Sequence, residues 1–245
     1  MPTRRAVMTS DVAEASEAVL AKSSAWADLG LTLPIFVVYH LGVMFLPVRN
    51  AADLVTQELV RLAHNDRIAY AALTIALGSL FVAVLLSLGR GQALRLRSFA
   101  WLALEGVIYA IGMRLVAAAV VGELFLGTGS SEGRFMGVIM SLGAGLYEEI
   151  AFRVLLFGLG WRCLRVLVRP SSWLRRTSLG LGWALLSALS FSAWHHLGVL
   201  GEPFEAQVFV FRAVCALVFT LIYAVRGFAP TVWTHVTYDL WVLVV

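Results

Sequence analysis

Long apolar stretches constrain this chain more than any other feature of its sequence. Of its 245 residues, 60% are hydrophobic and 14% are charged, whereas soluble domains carry about 25% charged residues. A membrane-spanning helix needs about 20 apolar residues, so the chain has room for about six to eight spans. Because only helices and closed barrels satisfy their backbone hydrogen bonds in lipid, these stretches predict an all-α, polytopic transmembrane helical bundle.

Seven candidate spans can be placed along the chain, at about residues 29–48, 68–89, 99–127, 136–161, 179–197, 207–225 and 229–245. Residues 1–28 mix basic and acidic side chains without an apolar core, which predicts a polar tail rather than a signal peptide. No linker or repeat divides the remainder, so we expect residues 29–245 to form one transmembrane domain. The segment 49–67 fits either an interfacial helix or a solvated connecting helix.

Basic residues are distributed unevenly between the predicted loops. With seven spans, twelve Lys and Arg side chains fall on the side of the N-terminus and four on the other. The positive-inside rule then places the N-terminus in the cytoplasm, and we expect a multi-pass protein of a bacterial inner membrane. These loop positions favour orientation in a lipid bilayer over nucleic-acid binding as the cause of the +4 net charge. Cys163 and Cys215 lie far apart and predict neither a disulfide framework nor a zinc–thiolate site.

Several ionisable residues fall inside the apolar stretches, where each is costly unless it is paired or hydrated. They are Glu105, Arg114, Glu148, Glu149, Arg153, Arg212 and Asp239, with Glu123 near a span end. Glu105 and Arg114 are not at helical pairing distance, so we expect them to answer charges on other helices. Arg212 fits either a counter-charge for a buried polar site or a side chain that snorkels to the surface.

The densest group is the segment Tyr147-Glu148-Glu149-Ile-Ala-Phe-Arg153. Glu149 precedes Arg153 by four residues, so the two can form an ion pair along the helix while Glu148 points about 100° away. The two carboxylates would then have different surroundings, which suits Glu148 to general acid or base chemistry. A purely structural Glu149–Arg153 pair with Glu148 as a bystander is the alternative.

Histidines follow on two further apolar stretches. His195 lies one helical turn after Phe191, an aromatic ring that can orient the imidazole, and we prefer it to His196, which points elsewhere. His235 and Asp239 are also one turn apart: either Asp239 fixes the His235 tautomer or both point into one polar site. On the predicted boundaries Glu148, His195 and His235 lie at different depths, so they can converge only if some boundaries are shifted.

The three segments, taken in order, resemble the CPBP family, the CAAX-processing and bacteriocin-processing intramembrane proteases. The family motifs EExxxR, FxxxH and HxxxN match Glu148 to Arg153, Phe191 to His195 and His235 to Asp239. The resemblance covers about residues 136–245; the N-terminal half shares only its hydropathy. It implies an active site within the membrane and a membrane-associated protein or peptide substrate, with CAAX, leader-peptide or C-terminal sorting-signal processing as the candidate reactions.

By this resemblance, Glu148 is the general base on a water molecule, His195 helps to hold the water, and His235 with Asp239 forms the oxyanion side. Glu149 and Arg153 keep their helix in register. The departure is Asp239, where the family more often has Asn: an ionised aspartate would repel an oxyanion, so it must be protonated, orient His235 or bind a metal.

Metal-dependent and metal-free mechanisms are both expected for such a site. Glu148, His195, His235 and Asp239 form an acceptable ligand set for Zn²⁺ or another divalent metal, which would make the protein a metalloprotease. The lack of a second ligand one turn from Glu148 favours the metal-free version. The alternative from a different class is a non-catalytic membrane protein, either a proton-coupled transporter or an immunity or folding partner, whose acids and histidines relay protons or bind a substrate. The oligomeric state is left open.

Overall fold

A computed structural model of the chain describes residues 25–46, 48–88, 96–122, 133–198 and 201–244. All regular structure in these ranges is helical, which confirms the predicted all-α class. The polar tail predicted for residues 1–28 lies almost wholly outside these ranges, and Glu123 lies entirely outside them.

The N-terminal half contributes four helices, named here α1 (Ala25–Phe45), α2 (Leu54–Leu62), α3 (Arg67–Leu88) and α4 (Leu96–Val121). The short helix α2 begins at Asp53, whose carboxylate accepts a hydrogen bond from the backbone N–H of Thr56. It occupies the segment for which an interfacial or connecting helix was predicted. Leu54 and Leu62 remain exposed on it, as an interfacial helix requires.

A continuous helical rod runs from residue 134 to residue 168. It consists of α5 (Arg134–Gly143), the π-helical segments π1 (Ala144–Glu148) and π2 (Ile150–Leu159), and α6 (Gly160–Val168). π-helical turns are rare and widen the helix, and they occur often at functional sites. Glu148, Glu149 and Arg153 all lie in this widened part of the rod.

Three helices complete the described chain: α7 (Trp173–Trp194), α8 (Ala206–Arg226) and α9 (Phe228–Leu243). Gly227, with φ of +107°, makes the sharp turn between α8 and α9 that a side chain would strain. Asp28 of α1 caps this turn, since its carboxylate accepts a hydrogen bond of 2.6 Å from the backbone N–H of Phe228. The turn thereby joins the beginning of α9 to α1.

The helix α9 lies centrally and packs on α1, α4, α5, π1 and α8. The largest buried cluster includes Ile35, Tyr39, Ile139, Tyr147, Val232 and Val236. Large apolar side chains such as Leu115, Leu181 and Leu221 are exposed on the outer faces, as helices that face lipid require. The rod therefore lies directly against α9, whereas α7, which carries His195, packs on α8 and π2.

Four helical segments among the described residues are long and apolar enough to cross a membrane: Trp26–Phe45, Arg67–Ser87, Leu96–Val121 and Ala206–Arg226. They coincide with four of the seven predicted spans, and the chain is an integral membrane protein. The other three predicted spans, 136–161, 179–197 and 229–245, fall on helices that do not meet the same criterion. The π-helical turns divide the rod into pieces of at most 10 residues, α7 has several serines among its apolar residues, and α9 has only 16 residues.

Candidate active site

The rod and α9 approach each other closely at the candidate site. A Cβ added to Gly145 would collide with the Val236 side chain and lie 3.1 Å from the carbonyl oxygen of Val232. Glycine at this position therefore permits a backbone contact that any other residue would prevent. The contact brings Glu148 and Glu149, at the end of π1, beside His235 on α9.

Glu149 is completely buried and forms an ionic cluster through its Oε1 atom. Its Oε1 atom lies 3.1 Å from Nη1 of Arg153, as the four-residue spacing predicted, and 2.6 Å from Nδ1 of His235. The guanidinium of Arg153 also lies over the rings of Phe191 and Phe219, at 4.3 and 5.0 Å from their centroids. Glu149 thus couples the rod to α9, in addition to the pairing predicted for it along its own helix.

Glu148 points to a different side of the rod, as predicted. Its Oε1 atom accepts a hydrogen bond of 2.8 Å from the side-chain amide of Asn50. Its Oε2 atom lies 3.7 Å from Nε2 of His195 and 3.9 Å from Nε2 of His235. Within the described part of the chain, this buried Oε2 has no hydrogen-bond partner, so one carboxylate oxygen is held and the other faces two imidazoles.

His195 is oriented by the aromatic residue one turn before it. The rings of His195 and Phe191 meet edge to face at 4.9 Å, and Nδ1 of His195 lies 2.9 Å from the carbonyl oxygen of Phe191. Since a carbonyl oxygen only accepts, Nδ1 carries a proton and Nε2 faces Glu148. His196 does not join this site: its Nδ1 atom is 3.2 Å from the carbonyl oxygen of Glu202, and its ring contacts Phe204.

Asp239 lies on the Nε2 side of the His235 ring. Its Oδ2 atom is 3.5 Å from Nε2 of His235, whereas Nδ1 of that ring is bonded to Glu149. Glu149 rather than Asp239 therefore fixes the His235 tautomer. Of the two alternatives for Asp239, the geometry favours the one in which it points into the shared site together with His235.

The remaining charges of the apolar stretches pair away from the site. Arg212 bonds Glu202, an acid of the neighbouring loop, at 2.6 Å, and its charge also acts on Asp239 and His195 of the site. Glu105 forms a two-pronged ion pair with Arg226, at 2.6 and 3.1 Å, which confirms that it answers a charge on another helix. The guanidinium of Arg114 lies 4.6 Å above the ring of Trp241.

Asn50 is the site residue that the sequence reasoning missed. It lies in the loop between α1 and α2, in the N-terminal half of the chain, which resembles the CPBP family only in its hydropathy. It is 98 residues from Glu148 along the chain and belongs to no helical spacing or recognisable motif. Its only sequence signal is a polar amide directly after a span.

The four proposed metal ligands lie in one site. Glu148, His195, His235 and Asp239 do come together, with separations of 3.5 to 3.9 Å between neighbouring donor atoms. Across the described residues, however, no group of three or more His, Cys, Asp or Glu side chains is arranged to hold a metal ion. We therefore derive no chemical step through a metal.

The fold and the site together define an integral membrane protein with a buried cluster of acids and histidines. Residues 130–241 match the model of one family, described as type II CAAX prenyl endopeptidase Rce1-like. This segment is therefore similar to that family, which is the CPBP family, and the resemblance seen in the three motifs is confirmed. Comparison with curated proteins and with solved structures gave no match. The family implies a protease that acts on a membrane-associated protein or peptide.

Proposed function

We propose that this protein hydrolyses a peptide bond of a membrane-associated substrate with a water molecule activated by Glu148. One observation carries the proposal: Oε1 of Glu148 is held by Asn50, while Oε2 faces Nε2 of both His195 and His235 at 3.7 and 3.9 Å. Polar atoms at such separations can share one bridging water molecule. A carboxylate with one held and one free oxygen is suited to take a proton from that water.

The protons of the water are directed by two acceptors. Nδ1 of His195 donates to the Phe191 carbonyl, so in the neutral imidazole Nε2 is an acceptor. Glu148 Oε2 and His195 Nε2 then accept the two water protons, which leaves a lone pair of the water oxygen for attack on the substrate carbonyl carbon. Glu148 removes one proton during attack and delivers it to the amine nitrogen as the C–N bond breaks, so the products are an amine and a carboxylic acid, which then ionises.

His235 is the donor for the developing oxyanion in this proposal. Its Nδ1–H is directed to the Glu149 carboxylate, so a protonated His235 presents Nε2–H to the site. Asp239, 3.5 Å from Nε2, acts in its protonated form, because a neutral carboxylic acid can donate a second hydrogen bond where an ionised one would repel the oxyanion. Arg153 and Glu149 act by positioning His235.

The substrate class proposed is a peptide carried to the site on a membrane anchor. A prenylated CAAX terminus is the first candidate, because the matched family is described by that activity. Leader-peptide and C-terminal sorting-signal processing use the same chemistry on another anchored segment. For this chain we further propose a bacterial inner membrane with the N-terminus in the cytoplasm, on the distribution of loop arginines.

The test uses purified full-length protein in liposomes and an internally quenched peptide that ends in a farnesylated CAAX sequence. The same peptide without the prenyl group, and one that carries a leader-peptide cleavage region before an apolar helix, are measured in parallel. Wild type is expected to cleave an anchored probe and Glu148→Gln to cleave none. Cleavage that Glu148→Gln retains, or no cleavage of any probe by wild type, would contradict the proposal, and the second result would favour the transport or partner function.

A chelator arm decides between the two mechanisms. Dialysis against a strong chelator is expected to leave the cleavage rate of wild type unchanged, because Glu148 activates the water without a metal. Loss of cleavage that added Zn²⁺ restores would instead make Glu148, His195, His235 and Asp239 a ligand set.

A further inference from the structure

We propose that Asn50, from the N-terminal half of the chain, is a positioning residue for Glu148, and that Tyr39 and Asp53 hold it in place. This inference deepens the proposed function and rests on it. The family model matches residues 130–241, and this inference concerns residues outside that segment. It makes α1 and the following loop part of the catalytic apparatus rather than only a membrane anchor.

The amide of Asn50 has one orientation. Its Oδ1 atom accepts a hydrogen bond of 2.8 Å from the backbone N–H of Ala52, so Nδ2 is left to donate to Glu148, also at 2.8 Å. Amide orientation follows from such a network of donors and acceptors. Asn50 therefore donates to Oε1 and directs Oε2 toward the histidines.

Asn50 is itself held by a buried pair. Its backbone N–H donates to the hydroxyl of Tyr39 at 3.0 Å, and that hydroxyl donates to Oδ2 of Asp53 at 2.8 Å. Asn50, Tyr39 and Asp53 are exposed by only 5%, 0% and 1%. Buried polar groups are costly unless their hydrogen-bond partners are supplied. Here the bonds form one chain that runs from Asp53 through Tyr39 and Asn50 to Glu148.

A second contact holds the residue next to Glu148. The hydroxyl of Tyr147 lies 2.7 Å from Nε2 of His40, and Nδ1 of His40 lies 3.3 Å from the hydroxyl of Tyr70. The rings of Tyr39 and Tyr147 also pack together, with centroids 5.6 Å apart. Two polar contacts therefore hold adjacent residues of the rod: Asn50 bonds the general base Glu148, and His40 of α1 bonds Tyr147.

The test compares two substitutions of Asn50 in the liposome assay with the farnesylated peptide. Asn50→Ala removes the hydrogen bond to Glu148, and we expect kcat to fall by about 100-fold with KM unchanged, because misorientation of a reacting group costs about this much. Asn50→Asp keeps the acceptor for Ala52 but replaces the donor with a second acid. Its pH profile of kcat should therefore contain a titration that wild type lacks.

The matched control is Asn65→Asp, the same chemical change at an exposed asparagine, which should keep the rate and pH profile of wild type. Tyr39→Phe removes one hydroxyl, and a loss of about tenfold in kcat is expected because the held loop loosens; it serves as the test if Asn50 variants do not fold. Wild-type kcat and pH profile in folded Asn50 variants, beside an inactive Glu148→Gln, would overturn the role of Asn50 alone. An inactive wild type would overturn the proposed function first.

Discussion

Two polar clusters on consecutive residues of one helix differ in the kind of partner that holds each acid and in how near the cluster lies to solvent. In the Glu149 cluster (Glu149, Arg153 and His235), the acid is fully buried and bonded to partners on two helices. In the Glu148 cluster (Glu148, Asn50 and His195), the acid is held by a neutral amide, and the His195 side chain is 23% exposed. Among the described residues, the Oε2 atom of each glutamate has no hydrogen-bond partner.

The difference shows how two identical side chains acquire different uses. Glu149 is 0% exposed and bonded to a cation and an imidazole, so it stabilises the arrangement of helices. Glu148 faces a donor that holds it and two imidazoles that leave an oxygen available for chemistry. Adjacent positions on a helix diverge by about 100°, and the partner helices determine the rest.

The largest combined effect is expected from Glu149→Gln. It leaves Arg153 as an uncompensated buried charge, and breaking a buried pair costs about 3–5 kcal/mol of stability. His235 also loses its orientation, so activity should fall by more than about 100-fold. Thermal unfolding in detergent and peptide cleavage measure both losses.

Glu58→Gln is the control for this change, because it breaks an exposed ion pair with Arg61, and it should leave the unfolding temperature where it was. Equal unfolding temperatures for Glu149→Gln and Glu58→Gln would show that the Glu149 cluster has no structural role.

The next largest effect is expected at His195 in the Glu148 cluster. His195→Ala should lower kcat by about 10² to 10⁴-fold, the range for loss of an acid–base group, while the unfolding temperature changes little because the side chain is partly exposed. His196→Ala is the matched change on the neighbouring residue and should retain the wild-type rate. Similar rates for both variants would contradict the choice of His195.

A smaller effect is expected at Asp239, which borders both clusters. Asp239→Asn keeps a hydrogen-bond donor, so kcat at neutral pH should stay within about tenfold of wild type, less than the 10² to 10³-fold cost of losing an oxyanion donor. As pH rises, wild-type Asp239 loses its proton and repels the oxyanion, so its rate should fall, whereas the asparagine variant cannot titrate. A pH–rate profile that falls equally in both proteins would refute a protonated Asp239.

The smallest effect should come from Glu202→Gln at the edge of the site region. Glu202 pairs with Arg212 at 2.6 Å, and its side chain is 54% exposed, so the pair is screened by solvent. The cleavage rate should change by less than about twofold. A loss comparable to that of His195→Ala would mean that the acidic loop binds substrate, and competition with a basic peptide would check this.

Much of the site could be predicted because its residues occur at helical spacings. The Glu149–Arg153 pair and the support of His195 by Phe191 follow from residues four apart. The contact of Glu149 with His235 spans 86 residues and that of Asn50 with Glu148 spans 98, so neither follows from periodicity. They depend on how helices pack, including the close approach at Gly145 and the π-helical turns.

The membrane-spanning helices could be predicted where the composition of a segment is almost wholly apolar. Four spans follow from their hydropathy alone, while the rod and α9 combine apolar and polar residues because they line the site. The predicted span boundaries set Glu148, His195 and His235 at different depths, yet the packed helices bring each of the two imidazoles within 4 Å of Glu148. His235 lies in the middle of α9, which accounts for the meeting.

The most direct test of the division between the two glutamates is a paired measurement on Glu148→Gln, with cleavage of the anchored peptide and thermal unfolding recorded on one preparation. Glutamine can still accept from Asn50 and can donate to His195, so the unfolding temperature should equal or exceed that of wild type while cleavage is lost. Cleavage at the wild-type rate would contradict the account, as would an unfolding temperature lowered as far as that of Glu149→Gln.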